Sequence, residues 1–174
     1  KESALYLLGG ILSNTQNFSG ISTDRDKKMA DWLWSISKAP QDLAMQMFKA
    51  KSDLSGERLR DTLFGDLKTM SIHGNTVAIG QLEIIGISKL ISERKDELTS
   101  ALTEIQVQEK SDYTFINMKD LDTNISTILC NDDKTAKLLS TIPDANSSDL
   151  IITSPTMTLR KQMSKWLRDR LEHN

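Results

Sequence analysis

Two short stretches hold the side chains best suited to binding an anion. In GDLKTM, Lys68 follows Asp66 on a strand or at its entry. In SPTMTLRKQ (154–162), Arg160 and Lys161 enter a helix after several Ser and Thr residues. Hydroxyls, free amide N–H groups and cations at a helix N-terminus can bind phosphate. The pattern alone is weak, because basic residues on surface helices are usually only solvated.

The number and the predicted positions of the histidines and the cysteine argue against nucleophilic catalysis by residues of this chain. There are two histidines, His73 and His173, and one cysteine, Cys130. The sequence places His73 in a tight turn and His173 among the last two residues, so a nucleophile–His–acid arrangement lacks a base. Cys130 is predicted to be a small buried hydrophobic residue rather than a nucleophile.

Two further groups of residues have plain structural explanations. Asp24, Asp26 and Asp31 form an acidic cluster, but carboxylates at a helix N-terminus usually complement the helix dipole. Gly9 and Gly10 lie inside a predicted helix, where small residues mark close packing rather than a phosphate loop.

The bulk composition excludes several classes of protein. The 174 residues are 38% hydrophobic and 26% charged with a formal net charge of −2, which is typical of a globular protein and not of a nucleic-acid-binding one. No apolar run reaches the roughly 18 residues of a membrane span. A lone cysteine excludes an internal disulfide and indicates a reducing cytoplasm. The stretch KESALYLLGG fits a buried helix better than a signal peptide.

Residues 1–62 are predicted to form successive helices. Apolar residues recur at helical spacing, and no strand pattern is present. Thr23 or Asp24 is expected to cap the second helix, and Pro40 to lie near the start of the third. The polar segment 49–58 is the predicted hinge or boundary.

The texture changes at Gly65, after which we predict an α/β domain with a mixed sheet flanked by helices. Strands are expected near 67–72, 76–83, 113–118, 126–130 and 149–153, with a hairpin turn at His73-Gly74-Asn75. A long helix is expected over 87–108 and another from Asp132. A terminal helix is expected to open at Thr156 or Thr158.

Five stretches in order resemble the family II, manganese-dependent inorganic pyrophosphatases, and more broadly the exopolyphosphatase-like branch of the DHH phosphoesterase superfamily. They are LYLLGGILSNTQNFSGISTDRDKKMADWL, MFKAKSDL, DLKTM, VAIGQLEII and SPTMTLRKQ. The resemblance implies that residues 1–62 are the helical end of the catalytic DHH domain with its linker. Residues 63–174 would then be the DHH-associated C-terminal, substrate-binding domain.

The stretch ILSNTQNF (11–18) contains a departure from the family pattern. The family has Ser-Asp-Thr here, and its Asp is a ligand of the metal pair, whereas this chain has Asn14. An amide oxygen can still coordinate a hard cation, but it removes one negative charge and weakens metal binding. The resemblance therefore makes Asn14 a weakened metal position.

The family's cationic grip is also altered. Lys68 matches the Asp-x-Lys lysine of the family. Aligning Lys161 with the family's Ser-Arg-Lys-Lys-Gln puts Thr158 at the Ser, Leu159 at the phosphate-gripping Arg and Arg160 at the neighbouring Lys. The resemblance makes Lys68, Arg160 and Lys161 the substrate-binding residues, with Arg160 or Lys161 standing in for the missing Arg after a local shift. No catalytic residue is assigned.

The resemblance implies a cytoplasmic hydrolase that converts diphosphate and water into two phosphates with Mn²⁺ or Mg²⁺. Its partners would be pyrophosphate or short polyphosphate, with no nucleic acid and no membrane, and a homodimer of the full-length protein is left open. The Asp-His-His signature is not in this sequence. We therefore expect an incomplete, inactive portion that binds no metal tightly.

Two alternatives stay open. One is a non-catalytic module that senses phosphate or a nucleotide or docks a partner, which Asn14 and Leu159 favour. The other is an α/β interaction domain whose cations are only solvated.

Overall fold

The computed structural model describes residues 1–156 and 159–172, and the chain divides into two compact units, Lys1–Asp53 and Leu54–Asn174. The division falls inside the polar segment 49–58. Residues 54–62 pack with the second unit rather than the first. The assignment of 1–62 and 63–174 to two family domains stays a prediction.

The first unit contains three helices in the described residues: α1 Glu2–Asn14, α2 Asp24–Ser37 and α3 Leu43–Lys51. Helix α1 packs against both of the others. Gly9 faces the Met47 side chain of α3, but a Cβ there would lie 3.5 Å away, an ordinary contact distance, so the packing does not require glycine. Thr23 caps α2 as predicted, and Pro40 precedes α3 by a short turn.

The polar residues after α1 form a left-handed exit from that helix. Thr15 Oγ1 donates to the carbonyl of Ile11 at 2.8 Å and accepts the amide of Phe18 at 3.2 Å. Gln16, Asn17 and Phe18 all have positive φ values, of 49°, 52° and 65°. The polar cluster therefore provides hydrogen-bond partners for backbone groups at the end of α1. This explains why small polar residues follow the apolar run, although no proline ends the helix.

The second unit is an α/β layer structure. Its elements in the described residues are α4 Arg58–Gly65, β1 Lys68–Ile72, β2 Asn75–Ile84, α5 Ile87–Glu109, β3 Tyr113–Asp120, β4 Ser126–Cys130, α6 Asp133–Leu139, β5 Asn146–Ser148, β6 Ile151–Ser154 and α7 Arg160–Leu171. The sheet order is β1-β2-β3-β4-β6-β5, with β2 and β3 parallel and the other neighbours antiparallel. The mixed sheet and flanking helices confirm the predicted fold class.

Each face of the sheet has its own apolar core. One core is formed by inward residues of the strands, including Ile79, Phe115 and Ile152, with residues of α6 and α7. The other joins the opposite strand faces to α4 and α5. Successive side chains of a strand point to opposite faces of the sheet, which gives each face its own core. The apolar stripe of α7 packs into the first core and holds that helix beside β1.

The β1–β2 hairpin closes at His73 and Gly74. Ile72 pairs with Asn75, so these two residues form the loop, and their φ values are 47° and 83°. Two positive values are the requirement of a type I′ turn, which matches the right-handed twist of the strands.

Three features differ from the sequence prediction. Helix α7 begins at Arg160 with Leu159 as its N-cap, so the prediction that Thr156 opens it was wrong, and Thr158 lies outside the described residues. The edge strand β5 was missed, because three exposed polar residues carry no strand pattern. Helix α5 is kinked at Arg94, which has φ −133° and ψ 28°.

Within the described ranges, no helix combines the length and the apolar character that crossing a bilayer requires.

Candidate anion site

A cavity of about 580 Å³ lies between the start of β1 and the polar face of α7. It is lined by Lys68, Met70, Arg160, Lys161, Ser164, Lys165 and Arg168. Five of these side chains are cationic and none is acidic. The structure therefore brings together Lys68, Arg160 and Lys161, the three residues singled out from the sequence.

Lys68 reaches the cavity because of its register in the hairpin. It is the first residue of β1 and pairs with Ile79 of β2, so both side chains project from the same sheet face. Ile79 is fully buried in the core beneath α7, whereas Lys68 lies at the exposed edge strand. The ammonium group is thus carried beside α7 but kept in water.

The amphipathic pattern of α7 supplies the other cations. Met163, Leu167 and Leu171 are buried at four-residue spacing and fix the rotation of the helix. The neighbouring face presents Ser164, Lys165 and Arg168 to the cavity. Packing of the apolar stripe therefore determines which charges face Lys68.

Arg160 is oriented by the α4–β1 connection. Its Nη1 donates to the backbone carbonyl of Asp66 at 2.7 Å, and its Nη2 lies 2.5 Å from Asp66 Oδ1. The Arg160 side chain is 24% exposed. Asp66 thus holds the guanidinium at the cavity wall and also competes for it with any bound anion.

The other four cations are available to a ligand. Among residues 1–156 and 159–172, the side chains of Lys68, Lys161, Lys165 and Arg168 have no hydrogen-bond or ion-pair partner. Several unpaired like charges around one concave surface repel each other and create a positive potential that favours a polyanion.

The first turn of α7 adds backbone donors to this surface. Its N-cap, Leu159, has no side-chain oxygen to accept the amide groups of that turn. The Leu159 amide itself donates to Gln162 Oε1 at 2.9 Å. Free amides at a helix N-terminus favour an anion, and they do so here next to Arg160 and Lys161.

No metal centre can be built from the residues described here. Asn14 is the exposed last residue of α1, and it offers one neutral amide oxygen. Across 1–156 and 159–172, no group of three or more His, Cys, Asp or Glu side chains is arranged to hold a metal ion. Because these residues do not fit a Mn²⁺ site, no chemical step of this chain is assigned to the metal.

The acidic cluster after α1 includes a capping residue. Asp26 Oδ2 accepts both the hydroxyl and the amide of Thr23 at 2.8 Å, and the Asp26 amide donates back to Thr23 Oγ1. The hydroxyl and amide donors of Thr23 lower the pKa of Asp26 below its usual value. The presence of an acidic residue at position 26 is therefore explained by its role in capping the N-terminus of α2.

His73 and Cys130 have structural surroundings. His73 is exposed in the hairpin turn. Cys130 is fully buried, and desolvation followed by the charge of Asp132 raises its pKa to about 12. A thiol with that pKa is protonated at neutral pH and is a poor nucleophile. His173 lies outside the described residues.

Ser164, Lys165 and Arg168 were not identified from the sequence as cavity residues. The available signal was their spacing of one and three residues along α7, opposite the apolar stripe. Without knowing that α7 lies beside β1, that polar face could not be distinguished from a solvated surface.

Comparison with known proteins shows which family the chain resembles. Residues 45–169 match the DHHA2 domain. A manganese-dependent inorganic pyrophosphatase of Methanothrix thermoacetophila is 33% identical over 131 residues, covering 74% of this chain and 42% of that protein. One of Methanocaldococcus jannaschii is 34% identical over 93 residues, covering 52% and 30%.

A solved structure is similar over nearly the whole chain. It is a Methanococcus jannaschii protein assigned to the family II inorganic pyrophosphatases, with a TM-score of 0.77 and 25% identity over 97% of this chain and 55% of that chain. The chain spans less than half the length of the two curated relatives. These similarities show that the chain belongs to the DHHA2 domain family, as the C-terminal pyrophosphatase-like domain of the DHH phosphoesterases.

Proposed function

We propose that this chain is the substrate-binding, C-terminal part of a manganese-dependent phosphoanhydride hydrolase that converts diphosphate and water into two phosphates. The observation that carries the proposal is the cavity shared by Lys68, Arg160 and Lys161. Its five cations match an anion with several charges. The relatives named above are manganese-dependent inorganic pyrophosphatases, which supports pyrophosphate as that anion.

In this proposal the cavity residues neutralise and orient the substrate. Arg160 offers a planar fork matched to two phosphate oxygens, and Lys68 acts as a movable point charge. Negative charge is present on the phosphates before reaction and is redistributed during it, so these cations assist both binding and turnover. The metals, nucleophile and proton transfers belong to residues outside this chain, and the chain alone is inactive.

A non-catalytic phosphate-sensing role is the second candidate. Asn14 and Leu159 favour it, since each is neutral where the family that the sequence resembles has a charged residue. Such a module would keep the cavity and its affinity for phosphates. Activity measured in a longer protein that contains this chain separates the two roles, because only the hydrolase releases phosphate.

Pyrophosphate binding to the 174-residue chain, measured by titration calorimetry, tests the proposed site. Lys68→Ala and Arg160→Ala should each weaken binding by about 1.5–3 kcal/mol, the scale of a hydrogen bond to a charged group. That corresponds to roughly 10- to 150-fold in Kd. Lys89→Ala is the matched control, because Lys89 is an exposed lysine of α5 outside the cavity.

Equal affinities for the wild type, Lys68→Ala and Arg160→Ala would refute the site. A loss of the same size with Lys89→Ala would mean that only overall charge matters.

A further inference from the structure

A second cavity, of about 540 Å³, lies between α6, the last turns of α7 and the start of β3. Its lining includes three cations, Lys134, Lys137 and Arg170, and one acid, Asp169. It shares no residue with the cavity beside β1. Asp169 already has an interaction with another group.

Two of these cations come from one face of α6. Lys134 and Lys137 are three residues apart, so their side chains lie above one another on the helix. Thr135, Ala136 and Leu139 are buried and direct the two lysines outward. Arg170 approaches the same cavity from α7, which brings like charges together from two separate elements.

Lys134 is held in place although its position on the helix is unfavourable. It lies in the first turn of α6, where a cation opposes the helix dipole. Its Nζ lies 4.1 Å from the ring centroid of Tyr113 and 3.4 Å from the carbonyl oxygen of Asp112, to which it donates. The buried Tyr113 ring thus fixes an ammonium group at the cavity wall without neutralising it.

The other two cations lack counter-ions. Among residues 1–156 and 159–172, the side chains of Lys137 and Arg170 have neither a hydrogen bond nor an ion pair. The favourable dipole at the end of a helix accounts for each of them singly. It does not account for Lys134 or for the meeting of all three charges in one concavity.

We propose that this cavity is a second anion site, which binds a compact, multiply charged phosphate such as a short polyphosphate. Lys134 is the oriented cation, and Lys137 and Arg170 are adjustable ones that close on the ligand. Tyr113 is buried and its ring already contacts the Lys134 ammonium group, so it offers little surface for stacking a nucleobase and the site favours the phosphate part of any ligand. The proposal does not depend on pyrophosphate hydrolysis.

Titration calorimetry with inorganic tripolyphosphate on the full 174-residue chain tests the proposal. The wild type should bind at two sites. Lys137→Ala with Arg170→Ala should remove one site or weaken it by at least about tenfold, the loss expected on removing charged hydrogen bonds. Lys68→Ala with Arg160→Ala should remove the other site and leave this one.

A charge-preserving pair guards against loss of folding. Lys137→Arg with Arg170→Lys should keep the second site, since both positive charges remain. The proposal is overturned if the Lys137 and Arg170 alanine pair binds as the wild type does, or if the Lys68 and Arg160 pair abolishes all binding. If the Lys68 and Arg160 pair binds as the wild type does at both sites, or if the Lys137 and Arg170 pair abolishes all binding, the second site is supported and the proposed function is contradicted.

Discussion

Asp66 determines how the Arg160 guanidinium is oriented and how far its charge is neutralised. It accepts the guanidinium through both its backbone carbonyl and its carboxylate. The backbone contact persists whatever the side chain, whereas the carboxylate adds a negative charge beside the cavity. Asp66 should therefore orient Arg160 mainly through the backbone and weaken anion binding through its charge.

Asp66→Asn is predicted to tighten pyrophosphate binding. Removing the charge frees Arg160 from a partly exposed ion pair, and such pairs contribute about 0.2–1 kcal/mol. Calorimetry should show a gain of up to roughly fivefold. Asp61→Asn is the control, because Asp61 is an exposed acid of α4 that does not line the cavity. Weaker binding by Asp66→Asn would mean that its carboxylate positions Arg160 rather than competing for it.

Cys130 gives a pH dependence that belongs to a single residue. Its thiol has a pKa of about 12 in the folded chain against an ordinary value of 9.0. Above about pH 9 the unfolded chain releases this proton and the folded chain keeps it, so the free energy of unfolding falls as pH rises. The contribution of the thiol to the free energy of unfolding is fully present below the pKa of the unfolded chain. It is lost progressively as the pH rises from that pKa to the pKa of the folded chain.

The comparison of wild type with Cys130→Ala isolates this effect. The variant loses packing contacts of the Cys130 side chain, and that loss does not depend on pH. The free energy of unfolding of the wild type falls with pH, so the difference between the wild type and the variant should shrink by about 2 kcal/mol between pH 7 and 10.5. Urea unfolding at several pH values measures it. A deficit that does not change with pH would show that the thiol ionises alike in both states.

At the scale of elements, the hairpin and α7 show what the sequence can and cannot predict. The turn at His73-Gly74 was predictable because β-branched strands flank a glycine dipeptide. The start of α7 was not. Ser and Thr usually cap helices, yet Leu159 occupies the N-cap, and no side-chain oxygen marks this start in the sequence.

The candidate anion site also contains residues that the sequence could predict and residues that it could not. Lys68 and Arg160 are separated by most of the second unit in sequence, and a family resemblance was needed to connect them. Their meeting depends on β1 forming the edge of the sheet beside α7. Tertiary packing of that kind leaves no local signal, so Lys165 and Arg168 could not have been assigned from spacing alone.

The hairpin turn predicts opposite effects for two substitutions. Gly74→Ala puts a Cβ at φ 83° and should destabilise the chain by about 1–2 kcal/mol. His73→Asn creates the preferred Asn-Gly pair and should stabilise by a few tenths of a kcal/mol. Thermal unfolding of both variants measures the difference. A stabilising Gly74→Ala would contradict the type I′ assignment.

At the scale of the molecule, the structure separates scaffold from charge. The sheet and its two cores account for nearly all of the buried apolar residues of the second unit, while the cations that line the two cavities lie on the outer faces of α6, α7 and β1. Charged residues can therefore vary without loss of the fold. The match to the DHHA2 domain assigns the chain to its family, whereas the proposal about what it binds rests on the cavity and on the named relatives.

Backbone amide NMR of the 174-residue chain during a pyrophosphate titration shows directly where on the chain the ligand binds. We predict that the first and largest shifts occur at the start of β1, near Lys68, and in the first turns of α7, from Arg160 to Ser164. Lys68→Ala should reduce them at equal ligand concentration, and Lys89→Ala should not. Saturating shifts confined to other residues, or none at millimolar pyrophosphate, would contradict the claim that this cavity is the substrate-binding site.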